Sequence, residues 1–296
     1  MRLDDLDPSD NVRDLGSGGG GFGGGGGNIL FALLPMLLGS RLGCGTIALI
    51  GIGAAIFMTM GGGGALLSGG GVTGSGGQQV TQQKACDTPE ELQACRVMTS
   101  TEQTWTKLFA DGGQRYPAPV LNFYEGRVQS GCGQASSAAG PFYCPSDRGI
   151  YLDTAFFREL ATRFGAAGDF AQNYVIAHEV GHHIQNVTGT MEQVRARQAR
   201  MSQAEGNELS VRVELQADCY AGVWGAQNRD RLEPGDIEEG LRAAEAIGDD
   251  TLQRQAQGTV VPESFTHGTS EQRMRWLKRG LESGDPAACD TFSGAI

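Results

Sequence analysis

The sequence predicts a mostly helical α+β domain with a short β-sheet, preceded by a disordered glycine-rich tail and one transmembrane helix. Three observations predict this class. Of the 47 glycines in the 296 residues, 25 lie within residues 1–77. An uncharged apolar run lies inside this glycine-rich part, and helix-capping residues recur beyond residue 78. The predicted boundaries are a tail at 1–28, a transmembrane segment at 29–60, a linker at 61–80 and a folded domain at 81–296.

The tail and the apolar segment are predicted from composition. An acidic start and the tract Gly16–Gly27 offer too little apolar surface to offset the entropy of ordering, which predicts disorder over residues 1–28. Residues 42–60 are uncharged, and this run is about as long as a helix that crosses ~30 Å of hydrocarbon. The apolar run 29–39 is an alternative span or a packing partner. A buried core helix and a cleaved signal peptide are the other interpretations, and the acidic tail argues against the latter.

The charges that flank the span predict its orientation. Arg41 precedes residues 42–60, and no Lys or Arg follows until Lys84. Since cytoplasmic flanks carry the excess of positive charge, we expect a single-pass protein of the cell membrane with a cytoplasmic N-terminus and an extracytoplasmic domain. The net charge of −11, without a basic run, argues against nucleic acid as a partner.

The cysteines favour an oxidising compartment. Cys44 lies in the apolar span, and the other six cysteines all follow it, an even set that suits disulfides. Six cysteines allow 15 pairings, and short loops close most easily. The favoured pairs are Cys86–Cys95, Cys132–Cys144 and, as the remainder, Cys219–Cys289. Unpaired core thiols are the alternative interpretation.

Secondary structure beyond residue 78 is predicted from caps and periodicity. Thr88 and Pro89 are typical of a helix start. Strands are expected at 120–124, 127–129 and 150–152. Further helices are expected at about 100–110, from 153 or 154 to 165, and at 169–187, 190–203, 207–228, 235–248 and 269–283.

A metal-binding pattern lies in the apolar helix predicted at 169–187. His178 and His182 are one turn apart on one helix face, where two imidazoles can bind one zinc ion. Glu179 lies beside them, where it can take a proton from a water molecule. His183 lies ~100° further around the helix, so we interpret it as a supporting or structural residue rather than a ligand. A histidine pair buried in an ordinary core is the alternative.

A zinc hydrolase needs a third protein ligand and an open coordination position. Glu214 and Asp218 again lie four residues apart on one face of a later helix. We expect Glu214 to bind the ion and Asp218 to accept a hydrogen bond from a zinc-binding histidine. Glu205 and Glu208 are the rival ligands, although they fit the first turn of the helix better. A solvated acidic face is the other interpretation.

The fourth histidine precedes the last predicted helix. Thr269 and Gln272 form a capping box, which places His267 in the loop before the helix and Arg273 in its first turn. Both side chains could face the metal and stabilise the oxyanion of a tetrahedral intermediate. An ordinary loop position is the alternative for His267.

Four strings carry a family resemblance. They are SGCGQASSAAGPFYCPSDRGIYLD, FAQNYVIAHEVGHHIQNVTG, ELQADCYAGVW and FTHGTSEQRMRWL. They resemble the neutral zinc metallopeptidase family of bacterial membrane-anchored proteins, and the ligand pattern is also similar to that of membrane-bound gluzincin proteases. The resemblance implies a zincin-like domain. It also implies that a short edge strand, here Arg148–Asp153, pairs with the substrate backbone.

The residues and the resemblance together predict a membrane-anchored peptidase that depends on Zn²⁺. Its partners would be a peptide or protein substrate and the membrane. We expect Glu179 to act as the general base. The alternative is a non-catalytic, zinc-stabilised module that binds a partner at the membrane. The sequence predicts neither a cleavage specificity nor an oligomeric state.

Overall fold

The computed structural model of the protein describes residues 1–17 and 85–296. Its architecture is a mostly helical α+β fold with a small sheet, as the sequence predicts for the domain. The helices in these ranges are α1 (Pro89–Asp111), α2 (Ala155–Thr162), α3 (Asp169–Val187), α4 (Thr190–Gln198), α5 (Gln203–Gln227), α6 (Asp236–Ala246), α7 (Asp249–Gln257) and α8 (Ser270–Ser283). The strands are β1 (Val12–Ser17), β2 (Val120–Glu125), β3 (Arg127–Ser130), β4 (Gly133–Ser136), β5 (Phe142–Cys144) and β6 (Gly149–Leu152).

Most predicted elements are confirmed. The predicted helix start at Thr88 and the predicted capping box at Thr269 are present, and α5 begins with a capping box at Ser202 that was not predicted. The two helical segments expected before residue 111 form the single helix α1. Helix α7 and the strands β4 and β5 were not predicted, because α7 and β4 carry almost no large apolar side chains and β5 has three residues.

The sheet places one short strand at an edge. Its order is β1–β2–β6–β5, in which β1, β2 and β6 are parallel and β5 is antiparallel to β6. Strands β3 and β4 form a separate hairpin. The segment Arg148–Asp153 contains β6, which has a neighbour on both sides. The prediction that this segment is the edge strand is therefore wrong, and β5 takes that position.

All three favoured disulfides are present. Cys86–Cys95 ties the chain before α1 to that helix, and Cys132–Cys144 ties the β3–β4 hairpin to β5. Cys219–Cys289 joins α5 to the C-terminal segment. The third bond closes a loop across 70 residues, so it links elements that are distant in sequence.

The segment predicted to be a disordered tail is partly ordered. Strand β1 pairs with β2 in parallel register, with Val12 opposite Leu121. Met1, Leu3 and Val12 are buried in the core of the helical domain. Composition predicted disorder because the tail by itself cannot bury enough apolar surface. The core that orders residues 1–17 is supplied by residues far along the chain.

The prediction of one transmembrane helix needs correction. Every helix within residues 1–17 and 85–296 is too short or too polar to cross a membrane. The predicted span at 42–60 and the linker at 61–80 lie outside the described residues. Hydrogen bonding between β1 and β2 places both described ranges in one folded domain.

Candidate metal centre

Helices α3 and α5 bring the two halves of the predicted site together. Helix α3 carries His178, Glu179 and His182, and α5 carries Glu214, all of them buried. The Glu214 carboxylate lies 3.2 Å from His178 Nε2 and 3.3 Å from His182 Nε2. One ligand atom from each of these three residues lies within 4.8 Å of the others. Two imidazole nitrogens and a carboxylate oxygen are a donor set that zinc accepts, so the residues fit the ion.

Close contact between α3 and α5 depends on a glycine. A Cβ added to Gly181 would lie 2.9 Å from the Cα and the carbonyl oxygen of Ala217. Real Cβ atoms do not approach backbone so closely, and the helix cannot deform cheaply at this point. The glycine between the two histidines therefore lets the helix that carries Glu214 reach them.

Gly181→Ala should therefore weaken both the fold and the metal site. We expect a loss of about 1–3 kcal/mol in the free energy of unfolding, as for an overpacked core, and weaker zinc binding. Chemical denaturation and zinc titration of the purified chain measure the two effects. Gly206→Ala on α5 is the control, since its Cβ would meet nothing closer than Gln198 Cγ at 3.9 Å. Equal behaviour of the two variants would contradict this account of Gly181.

Asp218 orients His178, as predicted. Its Oδ1 lies 2.8 Å from His178 Nδ1. A carboxylate can only accept, so Nδ1 carries a proton, and Nε2, which faces Glu214, is the nitrogen that is left to bind a metal once its own proton is lost. Burial alone would raise the pKa of Asp218, but the Arg273 guanidinium and His178 lower it to about 2. The carboxylate is thus a fixed negative charge behind the ligand.

A residue that sequence reasoning missed orients His182 in the same way. Gln185 Oε1 lies 2.9 Å from His182 Nδ1, and its Nε2 donates to the carbonyl oxygen of Val213 at 2.7 Å. The Val213 bond fixes which end of the amide is the acceptor, so Nδ1 of His182 donates and Nε2 is left for a metal. Its position three residues after His182 was the available signal.

The pKa values of the two carboxylates of the site shift in opposite directions. Burial raises the pKa of Glu179, although the nearby histidines oppose the rise. Burial would also raise the pKa of Glu214, but His182 and His267 hold it well below its usual range. Glu214 is therefore a permanent anion suited to binding a cation, whereas Glu179 is adjusted toward exchanging a proton.

The rival third ligands are engaged elsewhere. Glu205 is exposed and closes the capping box of α5 with Ser202. Glu208 is exposed and pairs with Arg212 at 3.2 Å. Glu214 is the acidic residue of α5 that meets both histidines.

Arg273 makes contacts that the sequence did not predict. Its guanidinium donates to both oxygens of Asp218 at 2.9 Å and also reaches the hydroxyl of Tyr174. Tyr174 in turn donates to Asp218 at 2.6 Å. Because two nitrogens of the guanidinium donate to Asp218, Arg273 fixes the carboxylate that orients His178. Arg273 also lines the cleft that holds the candidate ligands, and its place near an oxyanion stays a prediction.

His267 lies in the loop predicted for it, and its support was missed. Asp249 accepts hydrogen bonds from the backbone of Thr266, His267 and Gly268. Its second oxygen lies 3.2 Å from His267 Nδ1. Burial would lower the pKa of His267, but Glu214 and Asp249 raise it. With Nδ1 bound to Asp249, Nε2 is the nitrogen that can donate into the site.

His183 is buried away from the metal ligands, as expected. Its Nε2 lies against the carbonyl oxygen of Pro117, and its Nδ1 lies 3.0 Å from the hydroxyl of Tyr143. Burial lowers the pKa of His183 to about 4, so the ring is neutral. It links the helix to the edge strand and not to the candidate ion.

The candidate metal ligands line a cleft of about 560 Å³. Glu179, His267 and the three candidate ligands line it, together with residues of β5. Most of its other walls are apolar, from Phe156, Phe164, Met191, Val194, Val213, Ile247 and Leu252. Two histidines on one helix and a glutamate on another form the candidate ligand group, and a second glutamate outside this group lies beside it in the cleft. This arrangement is the class of site found in zinc hydrolases.

The chain belongs to the family described as "Putative neutral zinc metallopeptidase", whose model matches residues 1–292. The predicted family is thus confirmed, and the membrane-anchored detail is not part of what the match shows. The match includes residues 1–17, in agreement with their place in the fold.

Curated relatives in two bacterial groups are similar over most of their length. The uncharacterized protein YpfJ of Escherichia coli strain K12 is 52% identical over 228 residues, which cover 74% of this chain and 79% of the relative. The uncharacterized protein Rv2575 of Mycobacterium tuberculosis strain H37Rv is 44% identical over 217 residues, 68% of this chain and 71% of the relative. No solved structure matches the chain with significance.

Proposed function

We propose that this protein is a zinc-dependent peptidase that hydrolyses peptide bonds of extended peptide segments. The observation that carries the proposal is the buried group His178, His182 and Glu214 with Glu179 beside it in an open cleft. Three protein ligands leave a coordination position for chemistry, whereas structural zinc sites have four protein ligands. Among the described residues no fourth ligand joins this group, which favours the peptidase over the non-catalytic partner-binding module.

Zn²⁺ held by His178, His182 and Glu214 would supply Lewis acidity toward a peptide carbonyl and a water molecule. Glu179 would take a proton from the attacking water and pass it to the leaving amine. His267 Nε2 would donate to the oxygen that gains negative charge, with Asp249 holding the ring in the donating orientation.

The substrate class follows from the walls of the cleft. Strand β5 is a sheet edge that lines it, and an extended peptide can add to such an edge through backbone hydrogen bonds. Apolar side chains on the other walls favour hydrophobic residues near the bond that is cut. Membrane anchoring forms no part of this proposal.

Hydrolysis by the purified full-length chain tests the proposal. We expect cleavage of unstructured peptides that contain hydrophobic residues, loss of cleavage with a metal chelator, and recovery on addition of zinc. Full zinc occupancy at one ion per chain without cleavage of a broad peptide library would favour the non-catalytic module.

We also propose that the domain works in an oxidising, extracytoplasmic compartment. Three disulfides support this, because such bonds persist where thiols are not kept reduced. Mass mapping of the native protein under non-reducing conditions should show all three pairs. Six free thiols in protein taken directly from cells would overturn the assignment.

A further inference from the structure

Strand β5 faces the cleft but is too short to be held by its sheet alone. It has three residues and pairs with β6 on one side, no described strand pairs with its other side, and its residues Phe142 and Tyr143 line the cleft. If a peptide pairs with β5, the distance between β5 and the candidate metal ligands decides where its scissile bond lies. The position of β5 is therefore a determinant of binding, and what fixes it can be traced.

A hydrogen-bonded clamp on helix α3 holds the middle residue of β5. The Tyr143 hydroxyl lies 3.0 Å from His183 Nδ1 and 2.8 Å from Asn186 Nδ2. His183 Nε2 lies against the carbonyl of Pro117, which can only accept, so Nε2 carries the proton and Nδ1 must accept. The Tyr143 hydroxyl therefore donates to His183 and accepts from Asn186, which satisfies both groups. Asn186 also donates to the carbonyl of Pro145 at 3.2 Å, just beyond the strand.

His183, the first residue of the clamp, directly follows the candidate metal ligand His182. Consecutive residues of an α-helix point ~100° apart, so His182 faces Glu214 while His183 faces β5. His183 is fully buried, and its ring also packs edge-on against Tyr116 at 5.6 Å, which restricts its orientation. One helical turn thus carries both the ligand and the support of the substrate-facing strand. The second tether of β5, the disulfide Cys132–Cys144, joins it to the hairpin instead.

We infer that His183 and Asn186 are positioning residues that act through Tyr143 to set β5 for binding an extended peptide. The inference rests on the proposed peptidase function and deepens it, since it assigns a role to the second histidine of the His182–His183 pair. It concerns where the substrate backbone lies and not the chemistry at the ion.

Tyr143→Phe is the direct test, because it removes the hydroxyl and keeps the ring. We expect KM to rise about tenfold for peptides long enough to lie along β5, with a smaller change in kcat. The rise should shrink for substrates that extend only one residue on each side of the cut. Zinc stoichiometry should stay at the wild-type value.

Tyr116→Phe is the matched control. Tyr116 packs on the same His183 ring, and its buried hydroxyl has no hydrogen-bond partner in the described part of the chain. Its loss should leave KM near the wild-type value. An equal rise of KM in both variants would show that general disturbance of the cluster, and not the clamp, is responsible.

His183→Gln gives a second test that does not depend on Tyr143→Phe folding well. The glutamine amide can still donate toward Pro117, but it offers no acceptor where Nδ1 was. We expect a similar rise of KM, and the double variant should show no more than the larger single effect. Unchanged KM for long peptides in folded, zinc-loaded single variants would overturn the inference, as would a loss confined to kcat. Absence of hydrolysis by the wild-type protein would instead overturn the proposed function, and the inference with it.

Discussion

Glu179→Gln is expected to abolish peptide hydrolysis while leaving the fold and zinc binding intact. The amide has nearly the same shape as the carboxylate but cannot accept a proton at neutral pH. Glu179 is not one of the three grouped ligands, and no side-chain hydrogen bond of the described structure depends on it. The loss of kcat should exceed the ~10²–10⁴-fold typical of general acid–base catalysis, since water activation and leaving-group protonation both fail.

The measurement is kcat on a peptide that the wild-type protein cleaves, with zinc content determined on the same sample. Glu159→Gln is a suitable control, because it removes another carboxylate charge from the wall of the same cleft and should retain most of the activity. Activity of Glu179→Gln within about tenfold of wild type would remove Glu179 from the base role.

Glu214→Ala and Asp218→Ala are expected to fail in different ways. Glu214→Ala removes one of three protein bonds to zinc, so zinc should be lost at micromolar free metal while the metal-free fold persists. Asp218→Ala leaves the Arg273 guanidinium buried without its carboxylate. Breaking a buried pair from one side costs about 3–5 kcal/mol, so this variant should lose stability first. Where it folds, it should bind zinc ~10–100-fold more weakly.

Zinc titration and chemical denaturation of the metal-free chain separate the two outcomes. Glu208→Ala on the same helix is the control, since Glu208 is exposed and pairs only with Arg212, a contact of little energetic weight. Loss of zinc in Asp218→Ala together with full retention in Glu214→Ala would reverse the assignment of ligand and support. Full zinc in both variants would place the third ligand elsewhere.

The sequence by itself determined several features that depend on spacing within one helix or one turn. The pairs His178–His182 and Glu214–Asp218 needed only the period of the α-helix to be placed on common faces. The capping boxes of α1 and α8 needed only the local reach of a side chain to the backbone. The disulfides Cys86–Cys95 and Cys132–Cys144 followed from an even set of cysteines and short loops. These inferences hold because their geometry is fixed by neighbours along the chain.

Only the tertiary structure decided which distant partners each of these faces meets. Arg273 could have faced an oxyanion or a carboxylate, and the packing of α8 against α5 places it on Asp218. The edge strand is β5 rather than β6 because β2 already occupies the other side of β6. The N-terminal segment is ordered because a core built more than 80 residues later receives Leu3 and Val12. Contacts between elements that are far apart in the sequence decide these features, and the composition or periodicity of a single segment does not predict them.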